Sequence, residues 1–358
     1  MLKKPKFAAA DERFMRRALA LAERGRGTAR PNPVVGAVIV RGGRIVGEGY
    51  HRRAGEPHAE VNAIRAARGP TRGATMYVTL EPCCHVGRTG PCTEHVLAAG
   101  IKRVVVGCGD PNPLVDGGGI TRLRRAGVRV DVGCLERECR EAIRAYAIWV
   151  REGRPMVTLK AAATLDGYMA DGRPRGARAP AFLTGPKALR AAHELRAAHD
   201  AVLVGSGTAL ADDPRLTVRL PGRKRAAAPR RVALAGKDPL PVDLKMLSPE
   251  APSEVIRDPA GEGRPPIAFV LEHLAREREV QSLLVEGGAT IHGAFIKSGF
   301  VDRVALFVAP RLLGGGVPVA RGADLPLADA LRLGPLTVRA VGEDLLITAD
   351  VLGAKPSR

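Results

Sequence analysis

The stretch HAEVNAIRAARGPTRGATMYVTLEPCC, residues 58–84, decides how this chain folds. Residues 58–67 repeat apolar positions at the helical period, and ATMYVTL (74–80) has the composition of a buried strand. The same alternation runs outward in both directions. Upstream lie VVGAVIV (34–40), a turn at Arg41-Gly42-Gly43 and RIVGEGY (44–50); downstream come a helix at 93–100 and a strand at 102–107. A further helix (117–126) and strand (127–132) continue it. Strands alternating with helices indicate a layered α/β domain whose sheet is parallel in part.

A helical segment, 135–150, runs into Arg151-Glu152-Gly153-Arg154-Pro155, a charged Gly/Pro stretch suited to a domain boundary. The alternation then restarts with a strand at 156–162. It continues through a helix at 186–198, strands at 201–205 and 231–235, a helix at 267–278, a strand at 282–288, a helix at 289–298 and a strand at 303–310. Strands near 336–341 and 344–351 close it. Residues 219–230 and 236–266, rich in Pro, Gly and charge, read as loops. The expected domains are 1–151 and 155–358, both α/β.

A chain of 358 residues fits two domains, each large enough for its own core. Its hydrophobic fraction is 45%, and no window approaches the roughly 18 apolar residues of a membrane-spanning helix, so no membrane partner is expected. The basic N-terminus lacks a continuous apolar run and contains Asp11, Glu12 and Glu23. Residues 11–25 therefore read as an amphipathic first helix of a cytoplasmic protein. Six cysteines, two of them adjacent, suit reduced thiols or metal ligands better than a disulfide framework. The net charge of +19 invites a nucleic-acid reading, but arginine is spread along the whole chain and aromatics are only 3% of residues. No nucleic-acid partner is expected; a small phosphorylated substrate uses such charge more sparingly.

His58, Cys83, Cys84, His85 and Cys92 are candidate metal donors. A hydrolytic zinc site needs three protein ligands and an open position for water, which His58, Cys83 and Cys92 can supply. Glu60, two residues beyond His58, is placed to move protons between that water and a leaving group. A closed, non-catalytic site would recruit Cys84 or His85 and leave Glu60 without a role. H-x-E…P-C is the pattern of zinc-dependent nucleobase deaminases, although Cys92 follows Cys83 by nine residues rather than in a tight C-x-x-C.

PNPVVGAVIV, GEGYHRRAGEPHAEVNAI, YVTLEPCCHVGRTGPC and GCGDPNPLVDGGGI together resemble the deaminase half of the bacterial bifunctional riboflavin-biosynthesis family, RibD. The nine-residue step is that family's own spacing. In the second half, LKAAATLDGYMA, LVGSGTALADDPRLTVR, LLVEGGATIHGAFIKSGFVDRVALFVAPRLLGGG and VGEDLLITADV resemble its reductase half. The resemblance implies a cytidine-deaminase-like three-layer domain followed by a dihydrofolate-reductase-like α/β domain. The first would deaminate 2,5-diamino-6-ribosylamino-4(3H)-pyrimidinone 5′-phosphate, and the second would reduce the ribosyl group to a ribityl chain with NADPH.

By the same resemblance His58, Cys83 and Cys92 hold Zn(2+), Glu60 shuttles protons, Cys84 is a bystander, and His85 and Asn112 contact substrate. NADPH would face Ala162, Phe182, Thr208, Asp212, Gly288, Ala289, Thr290, Ile291, His292, Gly293 and Ala294. The reductase substrate would face Lys160, Arg196, Leu216, Arg219 and Glu286, and the protein would be a homo-oligomer. Two positions depart from the pattern: Pro180 stands where a Ser is usual, and Ala235-Gly236 where Asp-Ser is usual. Residues 236–266 are also short for this half, enough to remove a strand. These departures motivate an alternative, a deaminase with a degenerate reductase half. A nucleic-acid-editing deaminase is the remaining alternative.

Overall fold

A computed structural model describes residues 7–84, 90–113, 115–172, 182–220, 228–237 and 239–353. His85 and Pro180 lie outside the described residues. The chain divides into two compact units, Met1–Gly153 and Arg154–Arg358.

The first unit contains α1 (Ala9–Ala22), β1 (Gly36–Arg41), β2 (Arg44–Tyr50), α2 (Ala59–Arg65), β3 (Thr75–Leu80) and α3 (Cys92–Ala98). After these come β4 (Arg103–Cys108), α4 (Gly118–Arg125), β5 (Arg129–Val132), α5 (Glu136–Ala142) and α6 (Arg144–Glu152). The sheet order is β2-β1-β3-β4-β5. β1 is antiparallel to β2 and β3, and β3, β4 and β5 run parallel. Both faces are covered, so residues alternate between two cores. Ala37, Ile39, Met76, Val78, Val104 and Val106 pack under α2, α3 and α4. Val38, Tyr77 and Val105 point the other way, against Phe14, Met15 and Leu21 of α1 and Cys139 of α5. The result is a three-layer α/β/α unit.

A partly buried ionic clamp fastens α1 to its face. The Asp11 carboxylate accepts the Tyr77 hydroxyl at 2.7 Å and Arg103 Nη1 at 2.8 Å, while Arg103 Nε donates to Asp131 at 2.7 Å. Arg103 holds the Asp11 carboxyl below the usual carboxylate range, against the upward push of burial. The helical run read at 135–150 is two helices, because the backbone at the buried Ile143 (φ −106°, ψ 11°) leaves the helical region.

The second unit contains β6 (Met156–Thr164), β7 (Tyr168–Ala170), α7 (Pro186–Ala198), β8 (Ala201–Gly205), α8 (Ser206–Asp212) and β9 (Arg230–Leu234). Next are β10 (Ser253–Ile256), α9 (Ile267–Arg278), β11 (Ser282–Val285), α10 (Ala289–Ser298) and β12 (Arg303–Ala309). β13 (Val317–Pro318), β14 (Arg332–Leu333), β15 (Thr337–Val341) and β16 (Asp344–Leu352) complete it. The main sheet runs β10-β9-β8-β11-β6-β12-β16-β14, with β15 also on β16. From β10 to β12 the strands are parallel, so their C-terminal ends share one edge, where ligands of open α/β sheets bind. Residues 236–266 are not all loop, as their composition suggested: β10 lies within them and takes its register from β9, with only Ile256 buried. α8 is likewise an element the composition of its segment did not announce.

Removing one partner of a clamp as enclosed as Asp11–Arg103 leaves an uncompensated charge. Arg103→Met is expected to destabilise the first unit by about 2–4 kcal/mol, read by urea unfolding.

Candidate functional site

The first cluster begins with the contact of α2 on β2. A Cβ on Gly49 would stand 2.3 Å from Ala63 N and 2.5 Å from Ala59 O, and one on Gly47 would stand 2.4 Å from Ala63 O. Only glycine admits the helix backbone this closely. The N-terminus of α2 is thereby brought down with His58 as its N-cap residue and Glu60 in its first turn. Cys83 follows β3, and Cys92 opens α3, where it is fully buried.

His58 Nδ1 lies 3.2 Å from Cys92 Sγ and 3.6 Å from Cys83 Sγ, and the three ligand atoms all fall within 4.8 Å of one another. Among the described residues these are the His, Cys, Asp or Glu side chains grouped to hold a metal ion. Cys84 is not in that group. One imidazole nitrogen and two sulfurs are the donor set zinc favours, and three protein ligands leave a position for water. A hydrogen bond from Cys92 holds the Cys83 thiol well below the ordinary range, with His58 adding to the effect, while Cys92 itself is pushed up. Burial pushes the Glu60 carboxyl, 3% exposed, up to about 7, and the Cys83 charge adds to this.

Several neighbours escaped the sequence reading. His51, at 1% exposure, stands edge-on to His58, with ring centroids 5.1 Å apart at 82°. Its Nδ1 faces Pro57 O at 3.3 Å and its Nε2 faces Asn32 Nδ2 at 3.0 Å, which assigns the neutral Nδ1–H tautomer. Desolvation lowers its pKa in the same sense. Glu81 of the Glu-Pro-Cys run accepts Gly117 N and Ile120 N, both at 3.0 Å, and so caps α4 from the strand that leads to Cys83. Asn112, half-buried, accepts Val115 N and Asp116 N at its carbonyl (2.9 and 3.1 Å) and bonds Tyr146 through its side chain.

The second cluster centres on Glu286, just past β11. Arg196 of α7 grips it with Nε at 2.5 Å from Oε1 and Nη2 at 2.7 Å from Oε2, and Lys160 Nζ of β6 is 3.7 Å away. Burial alone would raise this carboxyl, but Lys160 and Arg196 hold it at about 2. Arg196 Nη1 also reaches Thr217 O at 3.4 Å, and Arg219 N bonds His193 Nδ1 at 3.4 Å, so the Leu216–Arg219 segment joins this group. The Leu216 side chain is 2% exposed and packs in the core, so what it can offer a ligand is backbone. Lys160 and Ala162 share one face of β6.

Beside Glu286, Gly288 takes φ +76°, and a Cβ there would lie 2.9 Å from Thr208 Oγ1 of α8. Ala289 and Thr290 precede the first helical bonds, from Ile291 N and His292 N to Gly288 O, so their N–H groups form the amide end that suits a phosphate. Thr290 is exposed and Ala294 half-buried, whereas Ala289, Ile291, His292 and Gly293 are buried, and His292 Nδ1 points inward to Val319 O at 2.7 Å. Asp212 is exposed at the end of α8, and Phe182 is 73% exposed. Gly236 places its missing Cβ 3.9 Å from Ser206 Oγ.

Comparison with known proteins gives two family matches: the cytidine and deoxycytidylate deaminase zinc-binding region over residues 8–108, and the RibD C-terminal domain over residues 155–347. The chain is 41% identical over 353 residues to the riboflavin biosynthesis protein RibD of Aquifex aeolicus, covering 94% of this chain and 97% of that one. It is 40% identical over 370 residues to the Escherichia coli RibD, covering 94% and 98%. Among solved structures it is similar to Acinetobacter baumannii RibD, with TM-score 0.86, 35% identity, and 96% and 99% of the two chains covered. It is also similar to a Thermotoga maritima diaminohydroxyphosphoribosylaminopyrimidine deaminase/5-amino-6-(5-phosphoribosylamino)uracil reductase, with TM-score 0.83, 36% identity and the same coverage.

This geometry has two measurable consequences. Cys84→Ser should leave zinc at about one per chain by elemental analysis, while Cys92→Ser should empty the site, because only the latter removes a donor. Glu286 has a folded-state value depressed from 4.5 to about 2, so its contribution to stability is full above the upper value and is lost as pH falls toward the lower. Glu286→Gln should flatten the pH dependence of thermal stability across that window.

Proposed function

The chain belongs to the RibD family of bifunctional riboflavin-biosynthesis enzymes, and from that premise we propose which residues carry its two reactions. The N-terminal unit deaminates 2,5-diamino-6-ribosylamino-4(3H)-pyrimidinone 5′-phosphate hydrolytically, using zinc. The C-terminal unit reduces the ribosyl group of the product to a ribityl chain with NADPH. Both halves of the chain match their family counterparts, which favours the bifunctional reading over a deaminase with a degenerate partner.

The observation that carries the deaminase assignment is the set of three donor atoms within 4.8 Å of one another beside a buried carboxylate. His58, Cys83 and Cys92 would hold zinc, which when bound supplies a water acidic enough to attack near neutral pH. Glu60 would hold the proton that the attacking water gives up and pass it to the departing amine, a task that suits a carboxyl whose pKa is raised by burial. His51 and Asn32 fix the wall beside His58. Asn112 and His85 would contact the substrate.

In the reductase half, Glu286, Lys160 and Arg196 form a preset charged floor for the substrate. Arg196 is committed to Glu286, which leaves the exposed Arg219 guanidinium as the cation for the 5′-phosphate. Leu216 contributes backbone. The amide end of α10, at Ala289 and Thr290, receives a cofactor phosphate with Thr208 beside it, and the remaining residues from Gly288 to Ala294, with Ala162, Asp212 and Phe182, complete the NADPH contacts. The amide end of α10 and the positive φ of Gly288, where a Cβ would meet Thr208 Oγ1 at 2.9 Å, support this reading.

We also expect a homo-oligomer without a nucleic-acid partner, working in the cytoplasm. Leu333, Leu336, Val338, Leu345 and Leu352, on and beside β14–β16, are 39–57% exposed, and an apolar sheet edge of this kind is normally covered. No described helix is long and apolar enough to cross a membrane.

Glu60→Gln should lower deaminase kcat by about 10²–10⁴-fold, read as ammonia release, with zinc content and NADPH consumption on the deaminated substrate unchanged. Equal ammonia release by the variant would overturn the role given to Glu60.

A further inference from the structure

We propose that Lys245 is a positioning residue for the reductase, acting through the Asp213–Leu216 turn; the inference rests on the reading that Arg196 and Glu286 face the substrate. Asp213 (φ 37°) and Leu216 (φ 51°) are both left-handed, and neither is glycine. L side chains hold that conformation at a cost, so two of them in one short turn persist only where the surroundings over-determine it.

Residues 240–251 supply that support. Both oxygens of the Asp213 carboxylate are engaged by one residue: Lys245 N donates to Oδ1 at 2.8 Å and Lys245 Nζ lies 2.9 Å from Oδ2. Leu216 is packed in the same core cluster as Leu240, Leu244 and Met246, which come from that segment. The segment is in turn nailed to β9 by Arg231, fully buried, whose guanidinium donates to Lys245 O at 3.4 Å, to Ser248 Oγ at 3.1 Å and to the carbonyls of Ser248 and Ala251. A guanidinium buried among carbonyls is a poor source of stability compared with an apolar side chain of its size. What it supplies is a fixed geometry.

That geometry leads to the site. Immediately beyond Leu216, Thr217 O accepts Arg196 Nη1 at 3.4 Å, and Arg219 N bonds His193 on the same helix as Arg196. The turn therefore sets the height of the 216–219 segment relative to the Arg196–Glu286 pair. Because the Lys245 and Asp213 side chains are 54% and 36% exposed, their ion pair contributes little to global stability, and its loss is visible in binding rather than in unfolding.

The test uses the full-length, zinc-loaded chain, in which deaminase activity reports the first unit and reductase kcat and Tm report the second. Lys245→Met should raise the reductase KM for the deaminated substrate about 5–20-fold, with kcat within about twofold and Tm and deaminase activity unchanged. Lys245→Arg should restore most of the loss. Asp213→Asn, which tolerates the left-handed conformation, should raise KM to a similar degree, and the double variant should be no worse than either single one. An unchanged KM in Lys245→Met, or additive effects in the double variant, would overturn the proposal while leaving the site reading intact if Arg196→Gln still raises KM. An unchanged KM in Arg196→Gln removes the site reading and the proposal with it.

Discussion

The close seating of α2 on β2 is the constraint on which the metal-site geometry depends. Gly47 and Gly49 leave the helix backbone within 2.3–2.5 Å of positions a Cβ would occupy, so any side chain there lifts the helix. The cost would fall on His58 and Glu60, which the first turn of that helix carries, and a displacement of about 1 Å is enough to spoil a catalytic arrangement. β2 then does a second job. His51, just beyond its end, walls the ring of His58, and Asn32 and Pro57 settle which nitrogen of His51 bears the proton. The seating of His58 and Glu60 and the wall beside the His58 ring thus trace to one strand and the histidine at its end.

The two units each bury a carboxylate and treat it oppositely. Glu60 and Glu286 are both removed from water, which by itself raises a carboxyl pKa. At Glu60 burial dominates, the Cys83 charge pushes the same way and outweighs the opposing His58, and the carboxyl is raised to about 7. At Glu286, Lys160 and a two-pronged Arg196 reverse the sign and hold it at about 2. A carboxyl near neutrality can give and take a proton; one held that low is a fixed anion that orders its neighbours. The same residue type is raised in one half and depressed in the other, and the difference lies in the partners.

How much the sequence made legible depends on the range of the interaction. Helix and strand periods and the His-x-Glu step are local patterns, and they reach the right elements. Glu81 shows where this stops: its role is to cap α4, whose amides lie 36 and 39 residues away, and nothing near Glu81 in the chain announces it. His51 and Asn32 sat inside segments already singled out, but their pairing spans 19 residues and appears only when β1 and β2 are set side by side. β10 was hidden because an edge strand of four residues with one buried side chain carries no alternation. Arg154 looked like part of a charged linker, yet it is buried and forked onto Asp302 at 2.7 and 2.9 Å, anchoring the start of β6.

Arg154 also bears on the meaning of the net charge. In a chain with a charge of +19, the arginines that matter most to the architecture are not on the surface. Arg103 ties α1 to the sheet through Asp11, Arg154 fixes the entry to the second unit, Arg196 sets Glu286, and Arg231 pins a turn through carbonyls and a hydroxyl. Each uses the rigid, planar fork of the guanidinium to hold two acceptor atoms in a fixed geometry, which the freely rotating ammonium of a lysine does not impose. A nucleic-acid-binding chain spends its cations on an outward-facing stripe that phosphates can reach. These four arginines fasten the fold, so the net charge is not by itself a count of cations offered to a ligand.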